Sequence, residues 1–212
     1  LFKKAAMQKE MDALNLLYDR QRKQYQIARQ NVQIINRKCH ELKVQIADLR
    51  RLQPDEATTQ SLDEAEQAAR MYDANAATGN EVLDVVLTEK SLLCEAQRIR
   101  LNCVADGTCL AAIEPGDLYA LFSNLLDQAI DAAAQQQNDR RMIDLLVCRR
   151  QGFAVINVIG PALSGSQSDH GRRHSYELKV ARRVVQKYSG TMATEPRGEL
   201  FAVKIVMPLT RG

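Results

Sequence analysis

The sequence predicts an α+β protein in which a long N-terminal helical hairpin precedes a sheet covered on one face by helices. Three observations lead to this class. The chain contains neither Gly nor Pro before Pro54, so one uninterrupted helix can form there. From residue 78 onward, helical patterns alternate with short apolar runs of strand length. The chain is 45% hydrophobic but only 5% aromatic and has no Trp, which favours long helices over a β-sandwich.

The first helix is predicted from the start of the chain to Leu52. A stripe of residues recurs along it at alternating spacings of three and four, with Gln21 as its one polar member: Met7, Met11, Leu14, Tyr18, Gln21, Tyr25, Ala28, Val32, Ile35, Cys39, Leu42, Ile46 and Leu49. This period is typical of a coiled-coil seam. Because a lone helix of this length has no other core in which to bury the stripe, we expect a parallel homodimer through residues 1–76.

A second helix is predicted after Pro54, which ends the first, and it runs to about Ala76. Two antiparallel helices from each of two chains would make a four-helix bundle. Residues 1–53 carry 12 Lys and Arg against 5 Asp and Glu, whereas residues 54–76 carry six acids and one Arg. The opposite charges indicate two segments that pack on each other, or else two solvated helix faces. We place a domain boundary between the hairpin, 1–77, and the remainder, 78–212.

The second domain is predicted as one sheet with helices on one face. Its predicted elements follow in chain order: a helix at 81–98, a strand at 99–105, a helix at 116–135, strands at 144–150 and 153–159 joined by a turn at Gln151-Gly152, a loop at 160–174, a helix that follows a turn at 174–177, and a C-terminal hairpin that turns at Arg197-Gly198.

Composition limits the classes of function. A net charge of +3 is too small to indicate nucleic-acid binding, and a DNA-binding interpretation has no support beyond the first helix. The five cysteines are odd in number and lack metal-ligand spacing, which predicts reduced thiols in a cytoplasmic protein. The sequence contains no signal peptide and no apolar run long enough to span a bilayer. It begins LFKK, already helical in character, which suggests a piece of a longer protein.

A row of polar side chains lies on the predicted helix 116–135. Asn124, Gln128 and Asp131 occupy positions i, i+4 and i+7, so they share one face. Such a row on an otherwise buried helix can coordinate Mg²⁺ or phosphate oxygens. The alternative interpretation is an ordinary solvated face.

Four motifs occur in the order found in a known family: MYDANAATGNEVLDVVLTEK, NLLDQAIDAA, HSYELKVARRVVQKYSG and LFAVKIVMPL. This order resembles the GHKL ATPase superfamily, and within it the sensor histidine kinases of the AgrC-like, peptide quorum-sensing type. The resemblance implies a dimeric helical hairpin for histidine phosphotransfer, followed by a Bergerat-type α/β sandwich that binds ATP and Mg²⁺. It also implies an upstream membrane sensor, a response regulator receiver domain as partner, and a cytoplasmic location.

The resemblance assigns a role to two residues of the first helix. The family's phosphoacceptor motif is matched by His40-Glu41-Leu42-Lys43-Val44, with Val44 where the family has Asn. His40 directly follows the seam residue Cys39, so we expect it to face solvent. By this resemblance His40 is the candidate phosphoacceptor, and Glu41 could orient or deprotonate it. A lone histidine on a helix is otherwise usually a surface residue.

The nucleotide motifs depart from the family pattern. Asn124 is kept, but Gln128 replaces the Asn that holds Mg²⁺, and these two residues are the candidate metal ligands. The full set of candidate nucleotide-binding residues implied by the resemblance is Asn124, Gln128, Asp131, Gly160, Ser175, Glu177 and Lys179. Gly160 stands where the family has Asn before Pro, and Ser175 and Glu177 stand where it has two glycines. A carboxylate about 4 Å from a phosphate charge would be repelled by roughly 4 kcal/mol.

An alternative alignment takes His170-Gly171 as the phosphate-binding turn, with Arg172 and Arg173 beside it. The helix motif matches without gaps only from His174, which favours the first alignment. A GHKL ATPase of the gyrase or chaperone type is disfavoured, because Asn124 stands where those enzymes have a catalytic Glu. Two hypotheses follow: a histidine kinase that phosphorylates His40, or a degenerate kinase-like dimeric scaffold that binds ATP weakly or not at all.

Overall fold

The first helix extends almost as predicted. The computed structural model describes the backbone of residues 2–51, 58–66, 78–137, 140–162 and 169–209, and the side chains of these residues except 2–6, 10 and 169–175. Helix α1 spans Phe2–Arg51. A short helix α2 occupies 58–66, and the predicted continuation to Ala76 lies outside the described residues.

The C-terminal end of α1 contacts α2 through opposite charges. The Arg50 guanidinium forms an ion pair with Asp63, and it lies 2.8 Å from the carboxylate of Glu66. Leu62 of α2 is only 8% exposed. The basic and acidic segments therefore meet at this point, as one of the two interpretations of the charge pattern requires.

The remaining chain forms a five-stranded sheet with helices, which confirms the predicted α+β class. The sheet has the order β1-β2-β3-β5-β4, in which β1 and β2 are parallel and every other neighbouring pair is antiparallel. The elements in chain order are α3 Glu81–Ala96, β1 Arg100–Ala105, a 3₁₀ turn Gly107–Leu110, α4 Pro115–Ala134, β2 Met142–Arg150, β3 Phe153–Pro161, α5 Asp169–Lys187, β4 Thr191–Arg197 and β5 Leu200–Pro208.

Local sequence signals explain several of these boundaries. The Asn80 side chain caps α3 by accepting hydrogen bonds from the backbone N–H groups of Val82 and Leu83, at 3.1 and 3.2 Å. Helix α4 starts at Pro115, where a missing N–H costs nothing. Gln151 and Gly152 both have positive φ, at 47° and 83°, as a two-residue hairpin turn requires.

The core lies between one face of the sheet and the helices. Strands β2 and β3 alternate between buried and half-exposed side chains, as strands with one covered face do. Helix α4 supplies the centre of this core, and six of its large apolar side chains are at most 1% exposed: Leu118, Leu121, Phe122, Leu125, Leu126 and Ile130.

Helix α1 also packs into this core, which corrects one expectation. Tyr18, Tyr25, Ala28 and Val32 are each at most 9% exposed and belong to the same cluster of buried residues as α4. The premise that the seam has no core in its own chain is therefore wrong for residues 18–32. The seam residues Leu42 and Leu49, by contrast, are about half exposed.

A second correction concerns the segment predicted as a loop at 160–174. Strand β3 continues to Pro161, and helix α5 begins at Asp169, five residues before His174. The predicted turn at 174–177 therefore lies inside a helix. The proposed loop residues 163–168 lie outside the described residues.

The five cysteines lie on five different elements: α1, α3, β1, the 3₁₀ turn and β2. All five lie in the described residues and none is bridged, with Cys39, Cys94 and Cys109 buried and Cys103 exposed. Within the described parts of the chain, no helix combines the length and the apolar character that crossing a membrane requires.

Candidate functional site

A cavity of about 820 Å³ lies between α1 and the helices of the sheet domain. Helix α1 forms one wall, from Leu17 to Ile35. Helices α3, α4 and α5 form the opposite walls with these side chains: Glu89, Lys90, Leu92, Tyr119, Ser123, Asn124, Asp127, Tyr176, Glu177 and Val180. Two of the residues predicted for the nucleotide site, Asn124 and Glu177, therefore meet in this cavity.

The Asn124 amide is bound by the one polar residue of the α1 stripe. Its Oδ1 accepts a hydrogen bond from Gln21 Nε2 at 2.9 Å, and its Nδ2 donates to Gln21 Oε1 at 2.5 Å. Asn124 Nδ2 also donates to the Ala120 carbonyl at 2.5 Å, and the residue is 1% exposed. A buried amide needs hydrogen-bond partners. The polar residue Gln21 in the apolar stripe is therefore explained by its hydrogen bonds to Asn124, and not by contact with a second coiled-coil helix.

The α4 N-terminus carries a fully buried carboxylate that joins three helices. Asp117 accepts hydrogen bonds from Tyr18 of α1, from the Tyr188 hydroxyl at 2.7 Å, and from the Lys187 ammonium of α5 at 2.5 Å. The Arg22 guanidinium lies 3.8 Å from the same carboxylate. Burial opposes ionisation of Asp117, but these hydrogen bonds outweigh it and hold its pKa below the ordinary value.

The hydroxyl of Tyr18 is correspondingly held in its neutral form. Burial, with the hydrogen bond to Asp117, raises the pKa of Tyr18 to about 12. The Arg183 guanidinium of α5 lies 5.3 Å from the centre of the Tyr18 ring and also donates to Asn15 of α1. Polar contacts therefore flank the Tyr18 ring on the α5 side.

Two further contacts fix α1 on α3 and α4. The rings of Tyr25 and Tyr119 lie 5.7 Å apart between centroids and are tilted by 48°. The Arg29 guanidinium lies 2.8 Å from the Glu81 carboxylate, in a pair exposed enough to contribute little. The buried ring contact therefore matters more than this ion pair.

A charged cluster on the cavity wall was not predicted from the sequence. Lys90 of α3 is 6% exposed, and its ammonium lies 2.8 Å from Asp127 of α4 and 3.4 Å from Glu89. Burial opposes the charge of Lys90, but the two carboxylates outweigh it and raise its pKa. Glu89 also accepts a hydrogen bond from the Tyr119 hydroxyl at 2.9 Å. Lys90 lies within an apolar helical stretch, and an isolated lysine there gives no sequence signal.

The residues predicted to form a phosphate-binding turn lie in the interior of α5. Only the first four N–H groups of a helix lack partners within it, and Glu177 is the ninth residue of α5. The prediction that residues 175–177 open a helix N-terminus is therefore wrong. Glu177 is 9% exposed and faces the cavity, and the Lys179 ammonium lies 5.3 Å from the Tyr176 ring. The side chain of Ser175 lies outside the described residues.

The other predicted nucleotide residues are not gathered at the cavity wall. Gln128 is 7% exposed and Asp131 is half-buried, one and two turns further along α4 than Asn124. The solvated-face interpretation of this row is therefore wrong for Asn124 and Gln128. Gly160 lies in β3 beneath α4, where an added Cβ would lie 3.6 Å from that of Ala129.

The predicted phosphoacceptor lies on the exposed surface of α1. His40 is exposed, as expected from its position beside the buried Cys39. The Glu41 carboxylate accepts a hydrogen bond from Lys38 at 2.7 Å and lies 4.0 Å from Arg37. The hydrogen bond from Lys38 lowers the pKa of Glu41. Glu41 is thus engaged with these cations.

The sheet domain is similar to a known family. Residues 113–208 match the family model described as the GHKL domain. No curated protein matches the sequence.

The comparison with solved structures found three histidine kinases among the similar chains. The catalytic domain of histidine kinase ThkA is 17% identical, with a TM-score of 0.48 over 63% of this chain and 94% of that chain. Histidine kinase AdeS of Acinetobacter baumannii is 15% identical, with a TM-score of 0.46 over 81% and 98%. The histidine kinase domain of a blue-light activated kinase from Erythrobacter litoralis is 15% identical, with a TM-score of 0.41 over 85% and 94%.

The cavity does not fit a magnesium nucleotide while α1 occupies its present position. The Asn124 amide oxygen already accepts a hydrogen bond, and the charged lining residues are three acids and two bases, Glu89, Asp127, Glu177, Arg20 and Lys90. A highly anionic triphosphate is disfavoured by this lining. Among the described residues, no group of three or more His, Cys, Asp or Glu side chains is placed to hold a metal ion.

Proposed function

We propose that the chain is the cytoplasmic signalling core of an AgrC-like sensor histidine kinase whose GHKL domain binds ATP weakly or not at all. In this proposal the protein is a degenerate kinase-like scaffold, in which a conformational change of α1 is coupled to a conformational change of the GHKL domain. The observation that carries it is the Gln21–Asn124 amide pair, because it occupies the residue that the family resemblance assigns to the nucleotide site.

The charge of the cavity wall supports the same conclusion. Glu177 is buried beside the cavity in place of a family glycine, and a buried carboxylate repels phosphate more strongly than a solvated one. The continuous helix α5 offers no N-terminal amide groups at residues 175–177 for a phosphate to bind. Two features that favour triphosphate binding in the family are thus replaced by features that oppose it.

The position of His40 indicates that the docked arrangement does not support phosphoryl transfer within the chain. His40 lies nineteen residues beyond Gln21 on one continuous helix, which corresponds to about 28 Å along the helix axis. A group bound at Asn124 would therefore lie far from the imidazole. Transfer would require α1 to leave the cavity, or a second chain.

A second candidate is an active kinase that phosphorylates His40 and passes the phosphoryl group to an aspartate of a response regulator. The exposure of His40 on a helix that contacts the GHKL domain favours it. Both candidates include a homodimer within residues 1–76, formed outside the part of α1 that packs on the sheet domain, together with a receiver-domain partner and an upstream membrane sensor. Sedimentation of a monomer at micromolar concentration would argue against the homodimer.

Incubation with labelled ATP and Mg²⁺, together with a MgATP titration, tests the proposal. We expect no incorporation and no saturation below about 1 mM, which corresponds to roughly 4 kcal/mol of binding free energy. The matched control is His40→Ala, which should behave identically. Label that appears in the unsubstituted chain and disappears in His40→Ala would establish the active kinase instead.

A further inference from the structure

We propose that residues 18–32 of α1, here called the docked segment, are an autoinhibitory segment that covers the nucleotide face of the GHKL domain. Gln21 is the residue that couples docking to nucleotide binding. This inference rests on the proposed function, since it concerns how the weak nucleotide site of the same GHKL domain is controlled. It goes further in assigning the weak binding to the docked helix as well as to the residues of the pocket.

Gln21 and a bound nucleotide would compete for one amide group. The Asn124 side chain has one oxygen and one NH₂ group, and Gln21 binds both, at 2.9 and 2.5 Å. A metal ion at the Asn124 oxygen, or a phosphate oxygen at its NH₂ group, would compete with the Gln21 amide for the same side chain. Docking of α1 therefore competes with nucleotide binding at Asn124.

Gln21 is a polar residue among buried apolar and aromatic neighbours in the stripe. Its neighbours in the stripe, Tyr18, Tyr25 and Ala28, are buried apolar or aromatic side chains. An apolar residue at position 21 would leave the Asn124 amide facing a side chain that cannot bind it, which is costly in a buried site. Gln21 therefore adapts this helix to this particular surface of α4.

The docked segment is also held at a second, separate point. Tyr18 donates to the buried Asp117, and Arg22 forms an ion pair with Glu114 at the start of α4. Lys187 of α5 binds both of these carboxylates, at 2.5 and 3.3 Å. The segment thus contacts α4 and α5 at a point outside the cavity lining. A shift of α1 along or about its axis would break these contacts as a group.

The test compares Gln21→Leu with Gln24→Leu, a matched control on the same wall of the cavity whose side chain is exposed. Hydrogen–deuterium exchange of peptides covering residues 18–32 reports docking, and equilibrium dialysis with MgATP into the millimolar range reports binding. In Gln21→Leu we expect faster exchange and about tenfold tighter MgATP binding. In Gln24→Leu we expect neither change.

A double variant separates release of the segment from misfolding. With Gln21→Leu and Asn124→Leu together, both partners of the pair are apolar, so docking and slow exchange should return. A double variant that exchanges as fast as Gln21→Leu would overturn the role of the amide pair, and so would unchanged exchange in Gln21→Leu.

The two claims fail in different ways. Faster exchange in Gln21→Leu without any gain in MgATP affinity would overturn the autoinhibitory coupling but agree with a GHKL domain that binds ATP weakly. Micromolar MgATP binding by the unsubstituted chain, with residues 18–32 still protected, would overturn both claims.

Discussion

The two halves of α1 share one heptad stripe but differ in what covers it. In the half that contains Tyr18, Tyr25 and Val32, the stripe is buried against the sheet domain of the same chain. In the half that carries His40, Cys39 and Ile46 are buried, whereas Leu42 and Leu49 are about half exposed. The periodicity alone does not distinguish these two halves.

The difference shows what a heptad stripe does and does not specify. It specifies a helix with one apolar face, and any complementary surface can cover that face. The polar residue Gln21 marks the half whose partner is α4, because its amide has a partner only there. The half without such a residue is the one in which we expect the second chain to pack.

The largest expected difference in the free energy of unfolding is between truncation of a buried ring and truncation of a half-exposed leucine of the same stripe. Tyr25→Ala should lower the free energy of unfolding by about 3 kcal/mol, because it removes a buried ring that contacts Tyr119. Leu42→Ala, the matched truncation in the other half, should cost less than about 1 kcal/mol in the monomer. Urea denaturation at low protein concentration measures both, and equal losses would remove the distinction between the halves.

The buried carboxylate at the start of α4 should give the next largest effect. Asp117→Asn should cost about 2 kcal/mol, since Lys187, Tyr18 and Tyr188 lose a charged acceptor. The exposed neighbour provides the control, and Glu114→Gln should cost under about 1 kcal/mol. Thermal unfolding at neutral pH measures the two variants.

The same residue predicts an acid dependence of docking. Because the pKa of folded Asp117 is lowered, its contribution is complete above the ordinary carboxylate pKa of about 4 and is lost as pH falls through the lowered value. The unsubstituted chain should therefore lose more stability on acidification than Asp117→Asn does. Parallel pH profiles for the two would show that Asp117 is not responsible.

A smaller effect is expected at the exposed part of the stripe. Leu42→Ala combined with Leu49→Ala should weaken the proposed homodimer by about tenfold in Kd, through loss of buried apolar area between chains. Leu16→Ala provides the control, because Leu16 is 71% exposed and lies off the stripe. Analytical ultracentrifugation gives both constants, and an unchanged Kd in the double variant would place the dimer contact elsewhere.

The smallest effect concerns the cavity wall. Glu177→Gln removes a negative charge from the lining and should strengthen MgATP binding by about threefold, whereas the exposed control Glu195→Gln should not. Equilibrium dialysis measures the change. Equal affinities for both variants would mean that a nucleotide does not approach Glu177.

Much of the fold could be predicted because it depends on local patterns. Periodicity and turn chemistry predict the uninterrupted α1, the apolar face of α4 and the β2–β3 turn at Gln151-Gly152. They also predict the order in which helices and strands follow one another along the chain. The docking of α1 could not be predicted, because it depends on which surfaces are complementary in space. The start of α5 was also missed, since polar residues around Gly171 have the composition of a loop.

The part of the candidate site that depends on local sequence could be predicted, and the part that depends on contacts distant in sequence could not. Asn124 was identified from a motif that occupies consecutive turns of one helix. Its partner Gln21 lies 103 residues away, and Asp117 meets Tyr18 from 99 residues away, so the sequence carries no local signal for either contact. Gln21 was visible only as the exception in an apolar stripe.

Site-specific photo-crosslinking tests most directly that α1 docks on the nucleotide face. A photoreactive residue in place of Gln24, which is exposed on the cavity wall, should form adducts within the same chain to peptides of α4 and α5 that contain Ser123 or Tyr176. Adducts formed solely with α1 of a second chain would contradict the account, because they would show that this half of the stripe is a coiled-coil seam.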